Sequence, residues 1–96
     1  MWNITYINTI THFIKNAILY NKIIMKNINL LKLGNKIRLE RMKKNFSQEQ
    51  LAELANVSIR TISDIERGIT DIRYTNLLQI AEAFNLTASE LLDFKL

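Results

Sequence analysis

No cysteine occurs in the sequence, which excludes disulfides and thiolate metal sites and fits a reducing, cytoplasmic compartment. A single histidine, His12, argues against a histidine metal cluster or a catalytic triad, and no glycine-rich phosphate loop is present. An enzyme, a cofactor and a bound metal are therefore not expected. The absence of proline and the presence of two glycines favour helices over a turn-rich β fold. Within residues 1–24, His12, Lys15, Asn16 and Asn21 interrupt every window long enough to span a membrane. The same segment lacks the basic start and small-residue cleavage site of a signal peptide. What remains, 48% hydrophobic and 23% charged over 96 residues, describes one globular domain plus at most an extension.

The net charge of +4 is unevenly placed. Residues 1–32 hold Lys15, Lys22, Lys26 and Lys32 and no acid, whereas residues 33–96 hold nine basic and nine acidic side chains. Within that neutral part, Lys36, Arg38, Arg41, Lys43 and Lys44 against Glu40 make a basic first helix, and the end is acidic. Such polarity suits a module presenting one face to a polyanion; a solvated charged helix is the plainer alternative.

Residues 1–29 read as an N-terminal extension and 30–96 as the domain. In the extension Ile7, Ile14 and Ile18 share a face at helical spacing. Three readings apply to it: an amphipathic helix for self-association or partner binding, a weak membrane-surface helix, or a stretch without function upstream of a start at Met25. From Leu30 the pattern is regular. Leu30, Leu33, Ile37 and Arg41 line one side of a first helix; Leu51, Leu54 and Ala55 face inward in a second over 48–55, with Ala52 at a close crossing. Ile62 and Ile65 mark the core side of a third over 59–67. A fourth covers 74–84, closed by a left-handed Asn85, and a short fifth covers 88–94. This is a compact all-α, five-helix domain.

The chain is organised around Phe46–Gly68. Ser47 and Gln50 have capping-box spacing, and so do Thr87 and Glu90 near the end; Ser58 is a further cap. Asn56 can take the left-handed region in the turn, and Gly68 after Arg67 can close the third helix. Two capped helices across a turn of about three residues suggest a helix-turn-helix. On the third helix Arg60, Asp64 and Arg67 fall within a narrow arc flanked by Ile59 and Ser63, opposite Ile62 and Ile65. In a major groove Arg can pair bidentately with guanine, and an apolar side chain can meet a thymine methyl. Asp64 can accept from a cytosine amino group or hold Arg60 as an i,i+4 pair. Taken alone, this face also fits an ordinary solvated helix with an Arg–Asp pair.

The runs Ile37–Arg41, Phe46–Ala52, Ile62–Gly68, Leu77–Phe84 and Ser89–Leu92 together resemble the Cro/phage-repressor (XRE-type) helix-turn-helix family over about residues 33–93. The resemblance implies a λ-repressor-like DNA-binding domain and a sequence-specific regulator, usually a repressor, dimeric on a near-palindromic duplex operator. It implies base contacts from Ile59, Arg60, Asp64 and Ser63, and backbone contacts from Ser47, Gln48, Ser58, Thr61, Arg67 and Arg73. Gln48 is also implied as a brace for the recognition helix, and Arg41 with Glu66 as a buried ion pair between the first and third helices. After Gly68 the sequence departs from the family habit: Ile69-Thr70-Asp71-Ile72 replaces a basic stretch, which removes two phosphate contacts and adds a carboxylate. Prophage repressor, restriction-modification controller, antitoxin with a toxin partner, and a non-DNA interaction module share this pattern. The dimer surface is expected near Leu92, Phe94 and Leu96.

Overall fold

Among residues 4–94, which the computed structural model describes, five helices form and no strand: α1 (Ile4–Lys43), α2 (Gln48–Ala55), α3 (Ile59–Glu66), α4 (Tyr74–Ala83) and α5 (Ala88–Leu91). Local chemistry sets their ends. The Gln50 N–H donates to Ser47 Oγ at 3.0 Å while the Ser47 N–H donates to Gln50 Oε1 at 2.8 Å, closing the capping box of α2. Thr87 and Glu90 repeat that box at α5, and Ser58 caps α3. Asn56 (φ 55°), Asn85 (φ 58°) and Gly68 (φ 69°) take the left-handed region where helices stop. Asn45 (φ 57°) does the same after α1, a stop that the sequence pattern did not single out.

The largest departure from expectation is α1. The helix expected to begin near Leu30 is the last part of a single 40-residue helix. Neither proline nor glycine precedes Gly34, so nothing in the backbone interrupts helical propagation. The molecule is consequently elongated, 66 × 24 × 20 Å. At the other end α5 stops at Leu91; Phe94 is half-buried beyond it, and Leu96 lies outside the described residues.

The core is built from Ile37, Leu51, Ala52, Ala55, Ile62, Ile65, Leu77, Ile80, Ala81, Phe84 and Leu91. α3 packs on α1 and α2, α2 also on α4, and α4 on α5. Leu54 corrects the sequence reading: it is 57% exposed. The buried arc of α2 is centred on Leu51, Ala52 and Ala55, and at 100° per residue Leu54 falls to its edge.

Two features lock α3 to α1. Gly34 is buried in α1, and a Cβ there would stand 2.3 Å from the Ile65 carbonyl oxygen and 2.8 Å from that of Glu66. The helices therefore approach backbone to backbone at this point. Seven residues on, Arg41 Nε donates to Glu66 Oε1 at 2.5 Å, and Arg41 Nη1 donates to the Phe46 carbonyl at 2.8 Å. The side chains of that pair are only 15% and 4% exposed. Glu40, also buried on α1, lies 3.2 Å from both the Lys36 and the Lys43 ammonium groups. Burial pushes its carboxyl up, but the two lysines, Lys43 first, outweigh this and hold it below the ordinary value.

Three outcomes follow from this packing. Gly34→Ala sets a methyl against immobile backbone oxygens and should cost about 1–3 kcal/mol in urea unfolding, against none if the helices are free to part. Glu66→Ala leaves the Arg41 charge buried with only a carbonyl partner and should cost about 3–5 kcal/mol, enough to unfold much of the population in circular dichroism; equal stability would remove the pair from the account. Because Glu40 titrates lower folded than unfolded, its contribution is present above the ordinary carboxylate range and lost as pH falls through its folded value. Glu40→Gln should flatten that part of the stability profile, measured as unfolding midpoint against pH.

Candidate nucleic-acid interface

α3 is eight residues long and its two sides differ sharply. Ile62, Ile65 and Glu66 are buried, whereas Ile59 and Arg60 are exposed, the Arg60 side chain to 90%. Ser63 and Thr61 are half-buried beside them. At its start the Thr61 N–H donates to Ser58 Oγ at 3.0 Å, and the Ser58 and Thr61 hydroxyls lie 2.7 Å apart. Both hydroxyls therefore hold the first turn in shape, with Ser58 itself exposed.

Asp64 sits between two guanidinium groups. Arg67 Nη2 donates to its Oδ1 at 2.7 Å, and Arg60 Nε stands 3.8 Å from its Oδ2. Of the two uses weighed for Asp64, the ion pair is the one formed, but Arg67 is its closer partner. At 22% exposure the carboxylate is drawn in against the helix, and Arg60 is left loosely tethered and able to extend. Arg67 also donates from Nε to the Ser63 carbonyl at 3.4 Å.

On α2, Ser47 is exposed at the N-terminus, and Gln48 Nε2 donates to Glu66 Oε2 at 2.5 Å. One carboxylate of α3 thus binds side chains from both α1 and α2. Arg73 stands apart, exposed at the N-cap of α4, with no side-chain bond to that helix start and no ion pair among the described residues. The structure groups Ser47, Gln48 and the α3 residues on adjoining helices; Arg73 belongs to the following loop.

The positive charge expected on the first helix is compensated only in part, since two carboxylates face its five cations. Lys36 and Lys43 share Glu40 and Arg41 binds Glu66, while Arg38 and Lys44 have no carboxylate partner among the described residues. The added carboxylate of Asp71 is offset in turn, because Lys26 Nζ lies 3.1 Å from its Oδ2. Sequence reading missed this pair: its partners are distant in the chain and meet only because α1 runs unbroken past the domain. Gly34 was likewise missed, although a lone glycine in a helical run is itself a signal of close approach. Among the described residues no group of three or more His, Cys, Asp or Glu side chains is arranged to hold a metal.

Comparison with known proteins places this geometry. Residues 37–91 match the helix-turn-helix family model. The chain is 42% identical over 69 residues to the control protein C.BamHI of Bacillus amyloliquefaciens, covering 71% of this chain and 84% of that protein. Its fold is similar to that of the restriction-modification controller protein C.AhdI from Aeromonas hydrophila, with a TM-score of 0.65 and 33% identity over 67% of this chain and 97% of that one. The clp gene regulator ClgR from Corynebacterium glutamicum is similar at a TM-score of 0.64 and 26% identity, covering 67% of this chain and 68% of ClgR. The chain belongs to the helix-turn-helix family of DNA-binding transcriptional regulators, which are not enzymes.

Proposed function

We propose that this protein is a regulator of the restriction-modification controller type, acting as a homodimer that sets α3 of each protomer into the major groove of a duplex operator. The observation that carries this reading is the pairing of the exposed Ile59–Arg60 edge with the buried Ile62, Ile65 and Glu66 on one short helix. A rigidly seated helix can present a fixed pattern to base edges. Arg60 is assigned to a guanine, Ile59 to a thymine methyl, and Ser63 and Asp64 to the margin of the read base pairs. Ser47, Gln48, Ser58, Thr61, Arg67 and Arg73 are assigned to the backbone, where they orient the domain without carrying sequence information. The likeness to two controller proteins favours this context over a prophage repressor or an antitoxin.

The partners in this proposal are a duplex operator and a second copy of the chain; a toxin is not among them. Residues 30–96 form the DNA-binding unit, with 1–29 as an extension whose boundary lies inside α1. Supporting this division, the buried residues of α1 begin at Gly34. A cytoplasmic location goes with action on DNA and with the cysteine-free composition. Among the described residues no helix is long and apolar enough to cross a membrane.

Arg60→Ala, assayed on sites selected from random duplex DNA, tests the assignment. Binding to the preferred site should fall by the equivalent of about 1–3 kcal/mol with the fold intact, and one position of each half-site should lose its preference. Unchanged affinity and preference would overturn the role given to α3.

A further inference from the structure

The domain leaves the first three quarters of α1 unexplained. Ile7, Ile10, Ile14, Ile18, Ile28 and Leu31 are all exposed, on a helix that reaches well past the core. Their spacing is that of a heptad. Ile7, Ile14, Asn21 and Ile28 fall at every seventh position, and Ile10, Ala17, Ile24 and Leu31 fall three residues after each. Four heptads thus run in one register, apolar at every a and d place but Asn21, and end where Asn35 and Arg38 take the next two places. We propose that this seam is a second interface of the protein, a parallel, in-register coiled coil with α1 of another copy, with Asn21 paired to Asn21 at its centre.

Several observations point to a second copy as the occupant. A 3.5-residue repeat marks a narrow seam that meets an equivalent seam, whereas a helix lying on a lipid surface has no need of that period. Asn21 interrupts the seam at one central a position. On lipid its amide would face acyl chains unpaired, but across a two-stranded coil it meets its own symmetry mate, the arrangement that fixes register and strand number. β-Branched isoleucines at the other three a positions and the small Ala17 at a d position agree with two strands. Charge points the same way. Lys15 and Lys22 lie at b and Lys26 at f, on the outside of the coil, while Lys32 at e would face Asn27, so no lysine of one copy opposes a lysine of the other. The positions flanking the seam carry no acid or base before Lys32 that would select a charged, different partner.

The placement of the domain permits this pairing. α1 turns Leu30, Leu33, Gly34 and Ile37 to the core, and at 100° per residue the seam from Ile7 to Ile28 falls on roughly the opposite side, while its last position, Leu31, is met by Gly68 of the chain's own domain. Lys26, whose ammonium lies 3.1 Å from Asp71, meets the domain on the non-seam side. From Ile7 to Leu31 the seam is about 36 Å long at 1.5 Å per residue. A parallel coil would put both domains at one end, where two α3 helices can address one duplex. The family model matches residues 37–91, so the seam lies outside the part of the chain that defines the family.

The absence of native cysteine makes the test direct. In the full chain, Ile10→Cys places two thiols across the seam within disulfide reach if the coil is parallel and in register. Mild oxidation should convert it to a covalent dimer at least tenfold faster than His12→Cys, whose position faces outward. Ile10→Cys combined with Asn21→Lys should lose that advantage while residues 30–96 stay folded and still bind DNA. Sedimentation equilibrium of the unmodified chain should give a dimer. Equal slow linking at both positions, a trimeric or monomeric mass, or slow linking together with tight binding to phosphatidylserine vesicles would each overturn the proposal. DNA binding by the double variant is read separately, so loss of the coil and loss of the α3 assignment are distinguishable.

Discussion

The position of the recognition helix depends on one buried carboxylate. Glu66, at the last turn of α3, accepts from Arg41 of α1 through Oε1 and from Gln48 of α2 through Oε2. Three helices are joined at a single side chain that is itself almost wholly out of water. A buried pair of this kind adds little net stability compared with apolar packing, because both charges must be desolvated. Its value is geometric. A planar guanidinium and an amide reach one carboxylate only if α1, α2 and α3 hold a fixed mutual orientation. The close backbone approach at Gly34 enforces the same orientation from the other end of the contact.

That rigidity explains how so short a helix can carry recognition. An isolated eight-residue helix would not persist in water. Here capping by Ser58, the apolar anchors Ile62 and Ile65, and the Glu66 network leave only the outward edge free. Electrostatics play a smaller part than the basic composition suggests. Most cations near the domain already have a carboxylate partner, including Lys36, Lys43, Arg41 and Arg67. Arg60 is held only loosely, and Arg38, Lys44 and Arg73 have no carboxylate partner among the described residues, so of the α3 cations Arg60 is the one most available to DNA. Specificity in this account therefore rests on shape and on one guanidinium more than on a broad positive field.

The parts of this structure that were legible in the sequence are those fixed by neighbours in the chain. Ser47 with Gln50, Thr87 with Glu90, and the left-handed Asn56, Asn85 and Gly68 each depend on a few adjacent residues, and the third helix has one apolar and one polar side within eight positions. Pairs such as Arg41–Glu66 came within reach only through family resemblance, since 25 residues separate the partners. What was not legible depends on where whole helices cross. Leu54 and Leu51 are equally apolar, and only the direction of α2 against α4 decides that one is buried and the other not. The choice of Arg67 over Arg60 as the closer partner of Asp64 is set by side-chain conformation, which spacing alone leaves open. The unbroken α1 is a case of the opposite kind: no stop signal stands before Gly34, and the change of pattern near Leu30 marks the edge of the core rather than the end of a helix.

The central claim is that α3, seated by Glu66, puts Arg60 against the edge of a guanine in the major groove. Replacing single guanines of a selected operator with 7-deazaguanine, which removes the N7 acceptor and keeps Watson–Crick pairing, tests this on the DNA side. The account predicts that one guanine in each half-site becomes sensitive with the natural protein and that Arg60→Ala abolishes this sensitivity while sensitivities elsewhere remain. A protein indifferent to every such replacement, or an Arg60→Ala variant with the same sensitive guanine, would contradict it.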